Sequence, residues 1–134
     1  LLLRPYGCYL EGAALGGFSV MLGHTFPILL GFRGGKGILS GFFIALMVDW
    51  RIAVLIIAVF AVVYLLTQYV SLGSVLAALA FSVGFAVFHY DNLTVMISGV
   101  VMGLLAIFMH RSNISRLLQG KERKTNLFRK ETDA

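Results

Sequence analysis

The chain has 134 residues, of which 59% are hydrophobic and only 13% are charged, and its mean hydropathy is +0.91. Soluble domains carry about 25% charged residues, and a globule this small buries only about two-thirds of its unfolded surface, so the composition excludes an ordinary water-soluble domain. The formal net charge of +5 is concentrated late in the chain, where residues 110–134 hold seven Lys or Arg against three Asp or Glu.

Five uncharged apolar stretches follow one another, separated by short polar or glycine-rich breaks. We expect each to form a helix, so the sequence predicts an all-α, polytopic transmembrane bundle of about five short membrane helices in a single membrane domain, residues 1–134. Most stretches are shorter than the ~20 residues that cross a ~30 Å hydrocarbon core. The second would rise only ~16 Å, so it must be extended by its flanks, tilted or re-entrant. The stretches are residues 12–23, 38–48, 52–66, 72–88 and 93–109.

The positions of the basic residues predict how the chain is oriented. With the tail at residues 120–134 placed inside, nine Lys and Arg lie on that side, only Arg51 lies on the other, and Arg4 is left uncounted at the start. This asymmetry fits the positive-inside bias and predicts a cytoplasmic C-terminus. The tail is too polar to pack alone, so we expect it to be mobile or to lie on lipid headgroups. Asp49 and Arg51, on the opposite side, are interpreted as an exposed ion pair that contributes little.

The most informative break is residues 23–37, GHTFPILLGFRGGKG. Its proline and five glycines disfavour an ordinary helix. Gly34, Gly35 and Gly37 allow consecutive N–H groups to turn inward as an anion nest, and Arg33 and Lys36 add full charges suited to a phosphate. A P-loop is excluded, because that pattern needs a glycine at position 30 and a Ser or Thr at position 37. A flexible basic turn that only carries the positive-inside signal is an equally good interpretation from the residues alone.

Two further clusters fall on the same side. Ser71 precedes an apolar stretch, and taken alone it is better explained as a helix N-cap than as a functional hydroxyl. His110 and Asn113 directly follow the last stretch, and on a continuing helix they share a face, with Arg116 three residues further on. An imidazole and a carboxamide beside the membrane suit a polar substrate, although each residue singly is explained as well by an interfacial position.

Other chemistries have little support in the sequence. The three histidines and the single Cys8 fit no metal-ligand spacing, so we expect no metal, no cofactor and no disulfide within the chain. Nothing points to nucleic acid or to an obligatory protein partner. Gly99 and Gly103 have the GxxxG spacing, which we interpret as packing within the chain rather than as a dimerisation motif.

The sequence resembles the bacterial acyl-phosphate:glycerol-3-phosphate acyltransferases, the PlsY family. The glycine-rich segment at residues 23–37 is similar to one signature of that family, VSLG at residues 70–73 to its central serine segment, and HRSNISRLLQG at residues 110–120 to its C-terminal signature. The resemblance implies a multi-pass enzyme of the bacterial inner membrane that works in phospholipid biosynthesis. Its substrates would be acyl phosphate and glycerol 3-phosphate, and its products lysophosphatidate and phosphate.

The resemblance also implies roles for individual residues. Lys36 would stabilise phosphate and Ser71 would bind substrate, with Ser74 a weaker alternative. His110 and Asn113 would position glycerol 3-phosphate and assist attack on the acyl carbonyl. The N-terminal part of the family, including a serine-bearing first helix and an arginine-bearing loop, has no counterpart here, so we expect a fragment of a seven-helix protein that is inactive alone. The alternative functions are a transport subunit and a scaffold with an anion-binding loop.

Overall fold

Helices account for nearly all of the apolar sequence that the structure describes, because backbone polar groups in lipid must be hydrogen-bonded within the segment itself. The computed structural model describes residues 8–27 and 34–125, and the fold is all-α, as predicted. Those residues form six helices: α1 (Tyr9–Thr25), α2 (Ile38–Val48), α3 (Trp50–Thr67), α4 (Val70–Phe88), α5 (Leu93–Met109) and α6 (Arg111–Leu118). The first five coincide with the five apolar stretches to within three residues at each end.

Not every helix is long enough to cross a membrane alone. Among the described residues, α3 and α4 are long and apolar enough to do so, and α5 together with α6 makes a third candidate if the pair is one bent span. The count of five membrane helices is therefore approximate. The short second helix is confirmed at 11 residues, and it packs against α1 and α3.

Small residues allow α4 and α5 to approach closely. A Cβ added to Gly99 would lie 2.0 Å from Cγ of Phe85, and one added to Gly103 would lie 2.0 Å from Oγ of Ser82. Ser82 also reaches across the contact, donating to the carbonyl of Val100 at 3.3 Å. The GxxxG pattern is thus used for packing within the chain, which confirms that interpretation.

The connection between α3 and α4 is short and tight. Gln68 takes a left-handed conformation with φ 62° and is the C-cap of α3. The backbone amide of Tyr69 donates a hydrogen bond to Oγ1 of Thr67 at 3.3 Å. The N-cap of α4 is Tyr69. The interpretation of Ser71 as the N-cap is wrong, because the helix begins at Val70 and places Ser71 in its first turn.

At the opposite end of the bundle, Asp49 is buried rather than exposed. It caps α3 by accepting from the amide of Arg51 at 3.0 Å, and it also pairs with that guanidinium at 2.6 Å. The ring of His89, at the end of α4, lies 3.3 Å from the same carboxylate. The expectation of an exposed pair is therefore wrong for Asp49, which is buried and joins the α2–α3 corner to the end of α4, whereas Arg51 is half-exposed.

The last two helices form a corner rather than one continuous helix. The axes of α5 and α6 differ by 54° across His110. Beyond α6, Gly120 has φ 66°, and its amide and that of Lys121 donate to the carbonyls of Leu117 and Arg116. This pair of bonds is a Schellman motif, which turns the chain back over the helix it has just left.

The segment after Gly120 packs against the bundle. The amide of Thr125 donates to the carbonyl of Gln68 at 2.9 Å, and the ammonium of Lys124 lies 5.3 Å from the ring centre of Tyr69. The expectation of a mobile or lipid-bound tail is therefore wrong for residues 121–125, because these contacts attach them to the α3–α4 corner. Residues 126–134 lie outside the described residues.

The close approach of α4 and α5 gives a stability prediction. Gly99→Ala or Gly103→Ala should lower the free energy of unfolding by about 1–3 kcal/mol, because the added methyl group overpacks the contact. Denaturant titration in detergent micelles measures the loss. Gly16→Ala is the matched control, since a Cβ there meets nothing within 4 Å, and it should be neutral or slightly stabilising. Equal losses at all three positions would contradict the packing role.

Candidate active site

Three segments far apart in sequence meet at one end of the bundle. Lys36 lies just before α2, Ser71 in the first turn of α4, and Asn113 in α6. The ammonium of Lys36 donates a hydrogen bond to Oδ1 of Asn113. Asp49 and His89 lie at the opposite ends of α2 and α4. The structure therefore contains the predicted grouping of Lys36, the serine turn and the C-terminal helix at one end.

Glycines bring Lys36 into position. A Cβ on Gly34 would lie 2.2 Å from the carbonyl oxygen of His24, and one on Gly35 would lie 2.2 Å from Nε2 of that histidine. Gly37 has φ 77° and serves as the N-cap of α2. These positions require glycine because the loop packs directly against the end of α1 and then enters α2 through a left-handed residue.

The anion nest remains a prediction. The amide of Gly35 is already engaged, donating to the carbonyl of His24 at 3.2 Å, so a nest in this conformation cannot use that amide. Arg33, the other predicted cation of this loop, lies outside the described residues. Lys36 is exposed, and an ammonium has three donors, of which Asn113 takes one. Its remaining donors are available to an anionic ligand.

The ring of His110 is held at the corner between α5 and α6. The residue is 3% exposed, and its Nδ1 lies 2.8 Å from the carbonyl oxygen of Ala106. A carbonyl only accepts, so Nδ1 carries the proton and Nε2 of the neutral ring is left as an acceptor. Lys36 is near enough for its charge to act on this ring. His110, Asn113 and Lys36 therefore form one polar cluster.

Glu122 is a member of this site that the sequence interpretation missed. Its carboxylate accepts from Nδ2 of Asn113 at 2.9 Å and from Nε of Arg116 at 2.6 Å. The pKa of the Glu122 carboxyl is lowered to about 2, most strongly by Arg116 and less by Asn113 and Ser71. The carboxyl is therefore ionised throughout the physiological pH range. Gly120 could have predicted this position of Glu122 from the sequence, because a glycine at the end of a helix often reverses the chain and returns the next residues to that helix.

Ser71 lies beside the same carboxylate. It is buried, and its hydroxyl is near enough to Glu122 to lower the pKa of that carboxyl, although the two groups do not form a hydrogen bond of normal geometry. Ser74, one turn further along α4, is also buried. The structure thus brings Ser71 to the predicted cluster, at its Glu122 side rather than at Lys36.

An apolar cavity of about 400 Å³ opens between the helices next to this cluster. Gly37 and Ala106 line it. Gly37 directly follows Lys36 in the chain, and the carbonyl oxygen of Ala106 accepts from the ring of His110. The rest of its wall is almost entirely hydrocarbon, including Met21, Phe42, Phe60, Ala77, Phe81 and Met102. A cavity of this kind suits the tail of an amphiphile whose polar head lies at the cluster.

The described residues offer no metal centre: no group of three His, Cys, Asp or Glu in residues 8–27 and 34–125 lies close enough together to hold an ion. What the cluster does offer is an ammonium, a carboxamide, an imidazole nitrogen and a hydroxyl. Such groups bind an anionic head and stabilise negative charge that develops on a neighbouring oxygen.

Comparison with known proteins identifies the family. A family model described as glycerol-3-phosphate acyltransferase matches residues 1–120. The glycerol-3-phosphate acyltransferase of Thermoanaerobacter sp. (strain X514) is 40% identical over 113 residues, which are 84% of this chain and 57% of that protein. The glycerol-3-phosphate acyltransferase of Nostoc sp. (strain PCC 7120 / SAG 25.82 / UTEX 2576) is 41% identical over 110 residues, 82% of this chain and 48% of that protein. The chain thus spans about half the length of the curated relatives it matches.

The fold is likewise similar to crystal structures of PlsY (YgiH), an integral membrane glycerol 3-phosphate acyltransferase. The glycerol 3-phosphate form superposes with a TM-score of 0.81 at 29% identity, covering 95% of this chain and 65% of that one. The lysophosphatidic acid form gives a TM-score of 0.80, covering 92% and 63%. From the family model and these relatives together, the chain belongs to the glycerol-3-phosphate acyltransferase family.

Proposed function

We propose that the protein transfers a fatty acyl group from acyl phosphate to the 1-hydroxyl of glycerol 3-phosphate, forming lysophosphatidate and inorganic phosphate. The observation that carries the proposal is the cluster of Lys36, Asn113 and His110 beside an apolar cavity that Gly37 and Ala106 line. Glycerol 3-phosphate and lysophosphatidic acid are bound by the PlsY structures whose fold this chain shares. A transport or scaffold role is not favoured, since the relatives are named acyltransferases.

In this reaction Lys36 holds a phosphate group. It is exposed at the rim of the cluster and retains donors beyond the one given to Asn113. Phosphoryl oxygens carry the charge of both substrates, and the leaving group is itself phosphate. A fixed ammonium therefore stabilises the substrate and, more strongly, the charge that develops as phosphate departs.

The cavity holds the acyl tail. Its wall is hydrocarbon, so the tail leaves lipid for an apolar site without exposure to water. Because Gly37 lines the cavity, the carbonyl end of the tail lies next to Lys36. The substrate thus places its reacting carbon at the boundary between the cavity and the polar cluster.

The transfer is a direct displacement. The 1-hydroxyl oxygen of glycerol 3-phosphate bonds to the acyl carbon, the bond from that carbon to the phosphate oxygen breaks, and inorganic phosphate leaves. His110 and Asn113 position the acceptor, Ser71 contacts substrate, and the hydroxyl proton passes to a phosphate oxygen of the substrate. Holding the two reactants in this geometry supplies much of the rate enhancement without a covalent acyl-enzyme.

We further propose that the protein is a multi-pass protein of the bacterial inner membrane, with Lys36, Ser71, Asn113 and the 120–134 tail on the cytoplasmic side. The basic residues that lie at this end support that orientation through the positive-inside bias. Soluble glycerol 3-phosphate then reaches the cluster from the cytoplasm while acyl phosphate enters from lipid.

The proposed role of Lys36 is tested by Lys36→Ala. Release of phosphate from acyl phosphate, dependent on glycerol 3-phosphate, should fall by about 10²–10³-fold, because the charge that stabilises the leaving group is gone. The assay uses membranes that contain the protein, with the amount inserted measured separately. Lys121→Ala, an exposed lysine at the same end, is the control and should retain normal turnover. Near-normal turnover in Lys36→Ala would remove the mechanism.

The proposed orientation is tested by labelling single cysteines with a membrane-impermeant maleimide. In a Cys8→Ser background, cysteines at positions 36 and 121 should react only from the cytoplasmic side. A cysteine at Tyr90, exposed at the other end between α4 and α5, should react only from the outside. Labelling of positions 36 and 121 from opposite sides would contradict a common site.

The proposed acyl cavity is tested by Ala77→Phe, which fills part of its wall. Each buried methylene contributes about 0.8 kcal/mol, so losing room for two methylenes should lower kcat/KM for long-chain acyl phosphate about tenfold relative to short-chain acyl phosphate. Leu79→Phe, exposed on the same helix, should leave that ratio unchanged. A uniform loss for all chain lengths in Ala77→Phe would contradict the assignment.

A further inference from the structure

We propose that Glu122 is a positioning residue of the active site: it fixes the carboxamide of Asn113 so that Oδ1 faces Lys36. The contact itself is independent of the reaction, while its effect on catalysis rests on the proposed function. Glu122 lies nine residues after Asn113, in the segment that returns over α6.

The partners of Asn113 determine which way its amide points. An ammonium only donates, so the group facing Lys36 must be the carbonyl oxygen. An ionised carboxylate only accepts, so the group facing Glu122 must be the NH₂. Lys36 and Glu122 therefore hold opposite sides of one planar group. Without the carboxylate, a half-turn of the amide would present NH₂ to the ammonium and break the contact.

The fold holds Glu122 in place from both sides. Before it, the Schellman motif at Gly120 ties the chain to the carbonyls of Leu117 and Arg116; after it, Thr125 is bound to Gln68. Arg116 adds a charged hydrogen bond to the second carboxylate oxygen. The Glu122 side chain is only 11% exposed. An acid in an otherwise basic segment is thus attached to α6 and indirectly to the α3–α4 corner.

Acting through Asn113 preserves the charge of the site. A carboxylate bound directly to Lys36 would neutralise the ammonium and compete with phosphate, whereas Glu122 is paired with Arg116 and reaches Lys36 only through a neutral amide. The remaining Lys36 donors stay available to the substrate. This arrangement favours a positioning role over that of an internal competitor for the anion site.

Kinetics with three variants test the role. Glu122→Ala should lower kcat/KM for glycerol 3-phosphate by about 10–100-fold, as expected when a catalytic group loses its orientation. Glu122→Gln, whose carbonyl still accepts from Asn113, should stay within about threefold of the wild type. In an Asn113→Ala background, adding Glu122→Ala should cost less than about threefold more. Lys121→Ala is the control in the same turn and should behave like the wild type.

A second measurement does not depend on activity. The rate at which formaldehyde and a borohydride reductant methylate Lys36 is followed by mass spectrometry in membranes. This rate should rise several-fold in Glu122→Ala and to a similar degree in Asn113→Ala, because the ammonium loses its acceptor in both. It should stay unchanged in Lys121→Ala and nearly so in Glu122→Gln.

The outcomes separate the two proposals. Increased activity in Glu122→Ala would identify an internal competitor and overturn the inference, as would an unchanged methylation rate. Losses in Glu122→Gln equal to those in Glu122→Ala, or additive losses with Asn113→Ala, would also overturn it. If wild-type membranes transfer no acyl group while the methylation rates follow the expected pattern, the proposed function fails and the positioning contact stands.

Discussion

The hydrogen bond from Lys36 to Asn113 is the contact on which the site depends, because it joins a loop to a helix 77 residues further along the chain. An exposed lysine elsewhere on the protein would sample many rotamers and hold no ligand in a defined place. Bound to a carboxamide, the ammonium gains a direction while keeping its full charge. The proposed anion site therefore needs both the glycine loop, which carries Lys36, and α6, which carries Asn113.

The helices work together to bring α6 there. Gly99 and Gly103 allow α5 to lie directly against α4, which fixes where α5 ends and hence where the corner at His110 begins. The 54° bend at that corner turns α6 away from the direction of α5, so Asn113 faces the loop before α2. A larger residue between α4 and α5 would overpack this contact and shift the corner that carries His110 and Asn113.

Much of this could be predicted from the sequence, because in lipid the helix bounds follow directly from apolar runs. The convergence of Lys36, Ser71, His110 and Asn113 at one end followed from alternation of the helices. The sequence did not predict the side-chain contacts that depend on how the helices and turns are arranged in three dimensions. Asp49 looks like any polar residue at an interface, yet it is buried, and the ring of His89 lies 3.3 Å from its carboxylate. Glu122 looks like one charge among several in a basic tail, and only the reversal at Gly120 places it on Asn113.

In the proposed reaction, the location of the polar cluster beside the cavity lets one small bundle combine an apolar and a highly charged substrate. Placing Lys36 within the hydrocarbon core would cost several kcal/mol unless it were paired, and placing the acyl chain in water would expose its methylenes at about 0.8 kcal/mol each. The boundary at Gly37 avoids both costs, because the cavity begins one residue after the ammonium. In that reaction the acyl carbonyl lies at this boundary, where hydrocarbon on one side and polar groups on the other meet the same substrate.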